Sequence, residues 1–349
     1  MDQQHLAETA AIRYRRYADE EFRNRSPLYD QLARGVAGDR ETLSFLLTLP
    51  TEKRQPNLLF AAVRHLFGTP ADWQEFRRKL AANLDAVRSL MLARSTQTNE
   101  PARCATLVPI LARLPQPLAL IEVGASAGLC LLPDFYGYDY GSIVIRPQAT
   151  EAEPPVFSCS VTDATPLPTT LPHIVWRAGL DLNPLDVSDR SQVAWLETLV
   201  WPEQTERLAN LRAAIKVAAA LKPRVIKGDL RDDLTRLSRE APKDTTLVVF
   251  HTAVLSYVAK ADRQTFARQV KSLCQYWISN EPPHVFPDSA KGVGVSGAPS
   301  RFLLTVNGSP TAWTDPHGAS LEWIPSTAWA ANDGMGTDRL SKVRFGVGS

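Results

Sequence analysis

The spacing of hydrophobic positions changes near residue 116. Before that point apolar side chains recur every three or four positions, which is the period of an amphipathic helix. RQPNLLFAAVRHLF (54–67) shows the pattern, with Pro56 where a first helical turn accepts it. Residues 71–93 and about 100–114 repeat the pattern, and no segment before residue 118 resembles a strand. The pattern therefore predicts a helical N-terminal cap over residues 1–115.

After residue 116 short apolar runs alternate with amphipathic stretches. The runs are LALIEVG (118–124), HIVWRAGLDL (173–182), PRVIKGDL (223–230), TTLVVFHTAVL (245–255) and WISNE (277–281). Runs of this kind are typical of buried parallel strands. Because predicted helices separate them, the pattern predicts an α/β fold, with a mainly parallel sheet and helices on both of its faces.

The rest of the pattern predicts additions to this sheet. Residues 136–165 are rich in β-forming residues and predict a hairpin inserted into the α/β domain, which spans residues 116–349. RFLLTVNG (301–308) and ASLEWIP (319–325) predict a final pair of strands. The Trp- and Pro-rich tail over 309–333 can pack on its own domain or on a second copy, so a homodimer stays open.

Composition narrows the class of partner. The chain has 349 residues, of which 22% are charged, and its formal net charge is +2. That balance predicts no nucleic-acid partner, because nucleic-acid binders concentrate basic residues. The four cysteines are too scattered for a zinc site or a disulfide framework, and no metal site is predicted. The polar N-terminus and the absence of an 18-residue apolar run predict a cytoplasmic protein without a membrane span.

EVGASAG (122–128) carries a glycine motif at the end of the first predicted strand. Read as E-x-G-x-x-x-G, it is the loop that approaches a nucleotide cofactor, and a glycine there leaves no Cβ in the way of the ligand. Read as G-x-S-x-G, with Ser126 at its centre, it is the nucleophile elbow of an α/β-hydrolase. The two interpretations predict different chemistry, namely a bound cofactor or a serine nucleophile.

The strand ends that follow favour the cofactor. A carboxylate at Asp181 can accept both hydroxyls of a ribose, and Asp229 can meet an adenine amino group, although either acid can instead cap a helix. The hydrolase is disfavoured because its elbow would end the first strand, with no H-G-G-G-type segment upstream. The predicted cofactor-binding residues are Glu122, Gly124, Ala125, Ser126, Gly128, Asp181, Asp229 and Leu230.

A second glycine motif, G-x-G-x-x-G from Gly292 to Gly297, follows a proline-rich loop and leads into a strand. A phosphate cradle of this type needs a helix N-terminus after it. The motif therefore predicts a loop over the sheet edge, which could close on a substrate, and not a dinucleotide site.

Nine blocks of the sequence together resemble one bacterial family. They are RQPNLLFAAV (54–63), TQTNEPARCA (96–105), EVGASAGLCLL (122–132), YGYDYG (136–141), RAGLDLNPLD (177–186), VWPEQ (200–204), KGDL (227–230), VVFHTAVLSY (248–257) and WISNE (277–281). With these blocks the chain resembles the bacterial domain-of-unknown-function family numbered 2332. Its core is similar to class I S-adenosylmethionine-dependent methyltransferases. This second resemblance implies a Rossmann-like sheet, S-adenosylmethionine as cofactor and methyl transfer to a small-molecule acceptor.

Methyl transfer from a sulfonium mainly requires alignment of donor and acceptor. A base is needed only when the acceptor loses a proton. At the strand ends His251 is the first candidate base, with Tyr257 and Glu281 next, although His251 can instead bond only to backbone. The polar run TQTNE (96–100) exceeds what a helix cap needs, so we expect the cap to fold over the sheet edge. The predicted substrate-binding residues are Gln97, Asn99, Glu100 and Arg103.

Two other functions stay open. The same fold can bind an adenosine-containing ligand without catalysis, as a sensor or accessory protein. A serine hydrolase that uses Ser126 is the third hypothesis, and it alone predicts labelling of Ser126 by a fluorophosphonate.

Overall fold

The N-terminal third of the chain is helical. A computed structural model describes residues 3–97, 99–148, 153–294 and 300–325. The first seven helices are α1 (Gln3–Tyr17), α2 (Pro27–Gly38), α3 (Arg40–Leu47), α4 (Pro56–Phe67), α5 (Trp73–Ala81), α6 (Leu84–Ala93) and α7 (Cys104–Leu111). The pattern over 71–93 belongs to two helices, because the chain turns at Asn83, whose Nδ2 donates to Lys79 O at 2.9 Å and closes the end of α5.

The remainder alternates strands with helices. The strands are β1 (Leu118–Val123), β2 (Gly137–Asp139), β3 (Val144–Ile145), β4 (Val156–Ser158), β5 (Ser160–Val161), β6 (Ile174–Asp181), β7 (Val225–Lys227), β8 (Thr246–Thr252), β9 (Tyr276–Glu281), β10 (Phe302–Val306), β11 (Ser309–Thr314) and β12 (Ser320–Trp323). The helices between them are α8 (Arg190–Leu199), α9 (Thr205–Leu221), α10 (Leu234–Ser238) and α11 (Lys260–Leu273).

Nine strands form one mostly parallel sheet, in the order β5-β12-β11-β10-β9-β8-β1-β6-β7. β7, β6, β1, β8 and β9 are parallel neighbours, and numbered along the chain their order is 3-2-1-4-5. The order reverses between β1 and β8, so the loops after these two strands diverge and leave a crevice at their carboxyl ends.

The C-terminal part of the sheet has three antiparallel strands where the sequence predicted two. β10, β11 and β12 follow β9 as an antiparallel meander. The sequence pattern does not predict β11, because Pro310 interrupts its alternation of apolar and polar residues and proline is unusual inside a β-ladder. The ladder tolerates it because Pro310 lies at a register shift between β10 and β11.

Helices cover both faces of the sheet, as predicted. In β1, Leu118 and Leu120 face the core that contains α7 and α9, whereas Ala119, Ile121 and Val123 face the core that contains α10 and α11. All six residues of β1 are buried, which explains its continuous apolar run.

The helical cap has its own aromatic core, and the α8 region ties that core to the sheet domain. Trp201 packs edge-on against Phe22 with ring centroids 5.2 Å apart, and Trp195 packs against His65 at 5.5 Å. The Trp195 indole also donates to Ser95 O at 2.9 Å. The end of the cap therefore has a fixed position against α8.

The inserted segment is more than a hairpin. β2 and β3 pair antiparallel, β4 adds parallel to β2, and β5 leaves this small sheet to pair with β12. No helix in the described part of the chain is long and apolar enough to cross a membrane. Gly297 and residues 326–349, which include the end of the predicted tail, lie outside the described residues.

Candidate functional site

A cleft of about 460 Å³ opens at the carboxyl ends of β6, β1 and β8. One wall comes from the sheet, from Glu122, Gly124, Ser126, Asp181 and Thr252. The opposite wall comes from the cap, from residues within 52–58, from residues 95–97 and from Asn99. The cleft therefore lies at the crevice that the reversal of strand order creates.

The glycine loop after β1 has a compact left-handed conformation. Gly124, Ser126 and Gly128 have φ of 74°, 50° and 73°. Ser126 N–H donates to Asp181 Oδ2 at 2.8 Å, which offsets the unusual backbone of a non-glycine residue. Gly124 and Ser126 line the cleft, whereas Ala125 is buried below it. Gly128 packs away from the cleft, where a Cβ would be 2.9 Å from Val225 Cγ2.

Asp181 stands beside this loop as the sequence predicted. Its Oδ1 accepts from Asn183 N–H at 2.7 Å, and its Oδ2 accepts from the glycine loop. Gln97 and Asn183 bond reciprocally, because Gln97 Nε2 donates to Asn183 O at 2.8 Å and Asn183 Nδ2 donates to Gln97 Oε1 at 3.1 Å. A carboxylate oxygen accepts more than one hydrogen bond, so both oxygens of Asp181 keep capacity for a ligand hydroxyl.

The structure does not place Asp229 in the cleft. Arg231 donates to its carboxylate from Nε at 2.9 Å and from Nη2 at 2.6 Å, and these bonds lower the pKa of Asp229. The side chain therefore stabilises the turn before α10. The neighbours Gly228 and Leu230 do line the cleft.

His251 is not positioned as the predicted base. It is fully buried on β8, its Nδ1 lies 2.7 Å from Glu281 Oε1, and its Nε2 accepts from Trp277 Nε1–H at 3.0 Å. Both ring nitrogens are occupied, so this geometry leaves no lone pair for an acceptor's proton. Tyr257, by contrast, lines the cleft rim, and the residue is 76% exposed.

Glu281 is also buried, and it positions the loop after β8 without lining the cleft. Its Oε1 accepts from Val254 N–H at 2.9 Å and from Leu255 N–H at 3.0 Å, besides the contact with His251. Ala253, which begins this loop, has a φ of 57°. A carboxylate thus holds each of the two loops at the crevice, Asp181 the loop after β1 and Glu281 the loop after β8.

Three of the four polar residues predicted from the cap line the cleft. Gln97, Asn99 and Arg103 do, and Asn99 Oδ1 accepts from Leu129 N–H at 3.0 Å. Glu100 instead turns away and forms a buried ion pair with Arg207 on α9. Thr98, in the same run, lies outside the described residues.

Glu122 is the most unusual ionisable residue in the cleft. It is 2% exposed, and its Oε2 has no hydrogen-bond partner. Burial raises the pKa of its carboxyl well above the usual value, with further contributions from Cys130 and Asp181, and nearby Arg103 opposes them. A buried acid with an orphan oxygen suits a site that a cationic ligand group completes.

We expect Glu122→Gln to stabilise the free protein at neutral pH. Because folding raises the pKa of Glu122, the wild type has its full stability below the ordinary value near 4.5 and loses stability as pH rises toward the folded pKa. Glutamine does not titrate, so the variant's advantage in the free energy of unfolding should be larger at pH 8 than at pH 5. Urea denaturation at both pH values measures it. Glu206→Gln, at an exposed position on α9, serves as the control, and an equal difference at both pH values would contradict the prediction.

The hydrolase hypothesis finds little support in the geometry. Ser126 Oγ is buried and has no hydrogen-bond partner. All six histidines belong to the described residues, and none of them lines the cleft. Nor do His, Cys, Asp and Glu side chains in the described ranges form a group of three that could hold a metal ion.

Several lining residues were missed at the sequence level. Leu182 and Asn183 directly follow the predicted strand end at Asp181, so a signal for them existed. No signal in the sequence indicated the cap residues Lys53, Gln55 and Leu58, because only tertiary packing brings the start of α4 to the sheet edge.

Comparison with known proteins gives a family and no relative of known activity. A family model described as "Uncharacterized protein conserved in bacteria (DUF2332)" matches residues 11–323. No curated protein matches the chain. The matched range includes all but the first ten residues of the cap and every residue that lines the cleft.

Proposed function

The chain belongs to the bacterial family DUF2332, and from the geometry of its cleft we propose that it binds S-adenosylmethionine and transfers the methyl group to a small-molecule acceptor. One observation carries the proposal. The glycine loop after β1, the acid that ends β6 and the orphan carboxylate of Glu122 meet in one cleft at the reversal of strand order.

The strand order supports a Rossmann-like core. Parallel strands in the order 3-2-1-4-5 occur in doubly wound nucleotide-binding sheets, which bind ligands outside the carboxyl ends at the switch point. This core departs from an all-parallel sheet after β9, where an antiparallel meander continues it. The cleft lies at the switch point, away from the meander.

The cleft residues fit the parts of this cofactor. Asp181 has acceptor capacity for the ribose hydroxyls, and Leu182 and Leu230 offer an apolar surface for the adenine. The orphan Oε2 of Glu122 would accept from the ammonium of the methionine part, which would favour the ionised carboxylate. Gly124 and Ser126 bring backbone, without bulky side chains, to the ligand.

When bound, the sulfonium supplies a methyl group that is already activated for displacement. The chain's own task is to hold donor and acceptor in line and to exclude water. Loops that Asp181 and Glu281 fix would provide this alignment. Of the three predicted catalytic residues, Tyr257 alone borders the cleft, so its hydroxyl is the group that could exchange a proton with the acceptor.

We expect the wild type to bind S-adenosylmethionine and S-adenosylhomocysteine, and Asp181→Ala to weaken both by about 10- to 100-fold. That loss corresponds to one charge-assisted hydrogen bond, of about 1.5–3 kcal/mol. Asp229→Ala should change the affinity little, because Arg231 occupies that carboxylate. Isothermal titration calorimetry measures all three proteins. Absence of binding to the wild type, or equal loss in both variants, would refute the cofactor site.

Binding alone fits a sensor of adenosine-containing ligands equally well. Formation of product distinguishes methyl transfer from binding alone. It is measured as the release of S-adenosylhomocysteine in the presence of candidate acceptors. A Tyr257→Phe variant that retains cofactor affinity and loses turnover would support catalysis at this rim.

A further inference from the structure

We propose that the β8 side of the cleft recognises a carboxylate carried on an apolar body, and that Arg103 is the residue that receives it. The inference names the substrate class of the same cleft, and its identification as the methyl acceptor rests on the proposed function. The argument starts from the hydrogen bonds of one buried guanidinium.

Arg103 is held rigidly and keeps one nitrogen free. It is 6% exposed, its Nε donates to Pro316 O at 2.7 Å, and its Nη1 donates to Thr252 O at 3.1 Å. A longer bond of 3.4 Å joins Nη1 to Thr252 Oγ1. The hydrogen bonds of this guanidinium to the described residues all start from Nε and Nη1, so Nη2 makes none, and Arg103 borders the cleft. Hydrogen bonds thus fix two nitrogens of the guanidinium, and the third nitrogen can donate to a ligand.

The charge of Arg103 has no acidic partner in contact with it, whereas two half-buried arginines each pair with a carboxylate. Arg177 pairs with Asp134 and Arg207 pairs with Glu100, and each of these arginine side chains is 17% exposed. No carboxylate of the described residues lies within 4.0 Å of the Arg103 guanidinium nitrogens, whose recorded partners are neutral oxygens. An unpaired buried charge is costly, so an anionic ligand group would gain from binding there.

Arg103 lies on the side of the crevice away from Asp181. Its bonds to Thr252 place it over the end of β8, and Asp181 ends β6, with β1 between these strands. Neighbouring strands are about 4.8 Å apart, so the two strand ends are separated by about 10 Å. The free nitrogen therefore belongs to the half of the cleft that a nucleoside on Asp181 would leave open.

Apolar side chains surround this half. Val254 and Val258 lie in the loop after β8 and line the cleft, and the ring of Tyr257, in the same loop, stands at its rim. Lys53 also lines the cleft, but it lies on the cap wall, where its Nζ donates to Arg94 O at 2.6 Å and to Ser95 Oγ at 3.3 Å. One cation on an apolar surface matches a monocarboxylate with a hydrocarbon or aromatic body, and benzoate is a suitable probe of that chemistry.

Calorimetric titration with benzoate and with benzamide tests the ligand charge without any mutation. We expect benzoate to bind the wild type at least about tenfold more tightly than benzamide, because one charge-assisted hydrogen bond distinguishes them. Arg103→Met should abolish this preference, and Arg212→Met, at an exposed position on α9, should retain it. Equal affinity of the two probes for the wild type, or retention of the preference in Arg103→Met, would overturn the inference.

A second pair of ligands separates the two sources of a carboxylate, the acceptor and the cofactor itself. S-adenosylhomocysteine carries an amino-acid part with a carboxylate and an ammonium, and 5′-methylthioadenosine lacks both groups. We expect Arg103→Met to weaken the binding of neither nucleoside by more than about twofold, since Arg103 would bind the carboxylate of the acceptor. A selective loss of S-adenosylhomocysteine would assign Arg103 to the cofactor and overturn the acceptor site.

Two outcomes keep this inference distinct from the proposed function. Preference for benzoate that depends on Arg103, without binding of either nucleoside, would refute the methyl-transfer proposal and leave the carboxylate site standing. If Arg103→Met does not fold, Arg103→Lys replaces it as the test variant, because lysine keeps the charge but lacks the planar guanidinium. In Arg103→Lys the preference for benzoate over benzamide should fall by about tenfold. An unchanged preference in that lysine variant would overturn the role of the guanidinium.

Discussion

Replacing Gly124 by alanine is expected to lower the free energy of unfolding by about 2–5 kcal/mol and to abolish ligand binding in the cleft. The residue has a φ of 74°, where an L-residue costs about 1–2 kcal/mol. A Cβ there would also overlap Val254 Cγ2 and lie 2.7 Å from Val254 Cγ1. Overpacking of this kind costs about 1–3 kcal/mol more. Urea denaturation measures the stability, and calorimetry measures the binding.

Gly68 provides a matched control for this substitution. Its φ is 76°, and a Cβ built on it would meet nothing within 4 Å. Gly68 has a ψ of 166°, in a region that almost only glycine adopts, so Gly68→Ala should cost only the backbone part, about 1–3 kcal/mol, and should leave ligand binding intact. A cost of Gly124→Ala no larger than its own backbone part, about 1–2 kcal/mol, would show that the loops after β1 and β8 are not in close contact.

Removal of the Glu281 carboxylate should have the largest effect on the loop after β8. Glu281→Ala leaves the Val254 and Leu255 N–H groups and His251 without their shared acceptor. Each buried group left unsatisfied costs about 1–3 kcal/mol, so we expect a loss of about 3–5 kcal/mol. Hydrogen exchange followed by mass spectrometry should show faster exchange in residues 253–258.

Glu281→Gln removes the charge of this side chain but keeps its shape. Its amide oxygen can still accept from the loop, so we expect it to be less destabilised than Glu281→Ala. A loss below about 1 kcal/mol in the alanine variant would contradict the role of this carboxylate as the anchor of the loop. Such a result would mean that packing of Leu255, which is fully buried, holds the loop without it.

These two experiments address the two walls of one crevice. Gly124 and Val254 meet where the loops after β1 and β8 diverge, and Glu281 fixes the second of these loops. If both predictions hold, the shape of the cleft is set before any ligand enters it, as the proposed methyl transfer would require.

The sequence by itself determined the helical cap and the parallel strands of the sheet. Helical periodicity located the cap, and apolar runs located β1, β6, β8 and β9, because such patterns depend on neighbours along the chain. It also placed Asp181 beside the glycine loop, since carboxyl ends of adjacent parallel strands share one edge of a sheet. The family identified from the ordered blocks is confirmed by the match over residues 11–323.

Only the tertiary structure decided where each of these side chains points. His251 and Asp229 stand at strand ends as predicted, yet one is enclosed by Trp277 and Glu281 and the other is bound by Arg231. The cap residues at 52–58 reach the cleft through packing against distant parts of the chain. Direction and packing arise from contacts between residues far apart in sequence, and local patterns of polarity do not record such contacts.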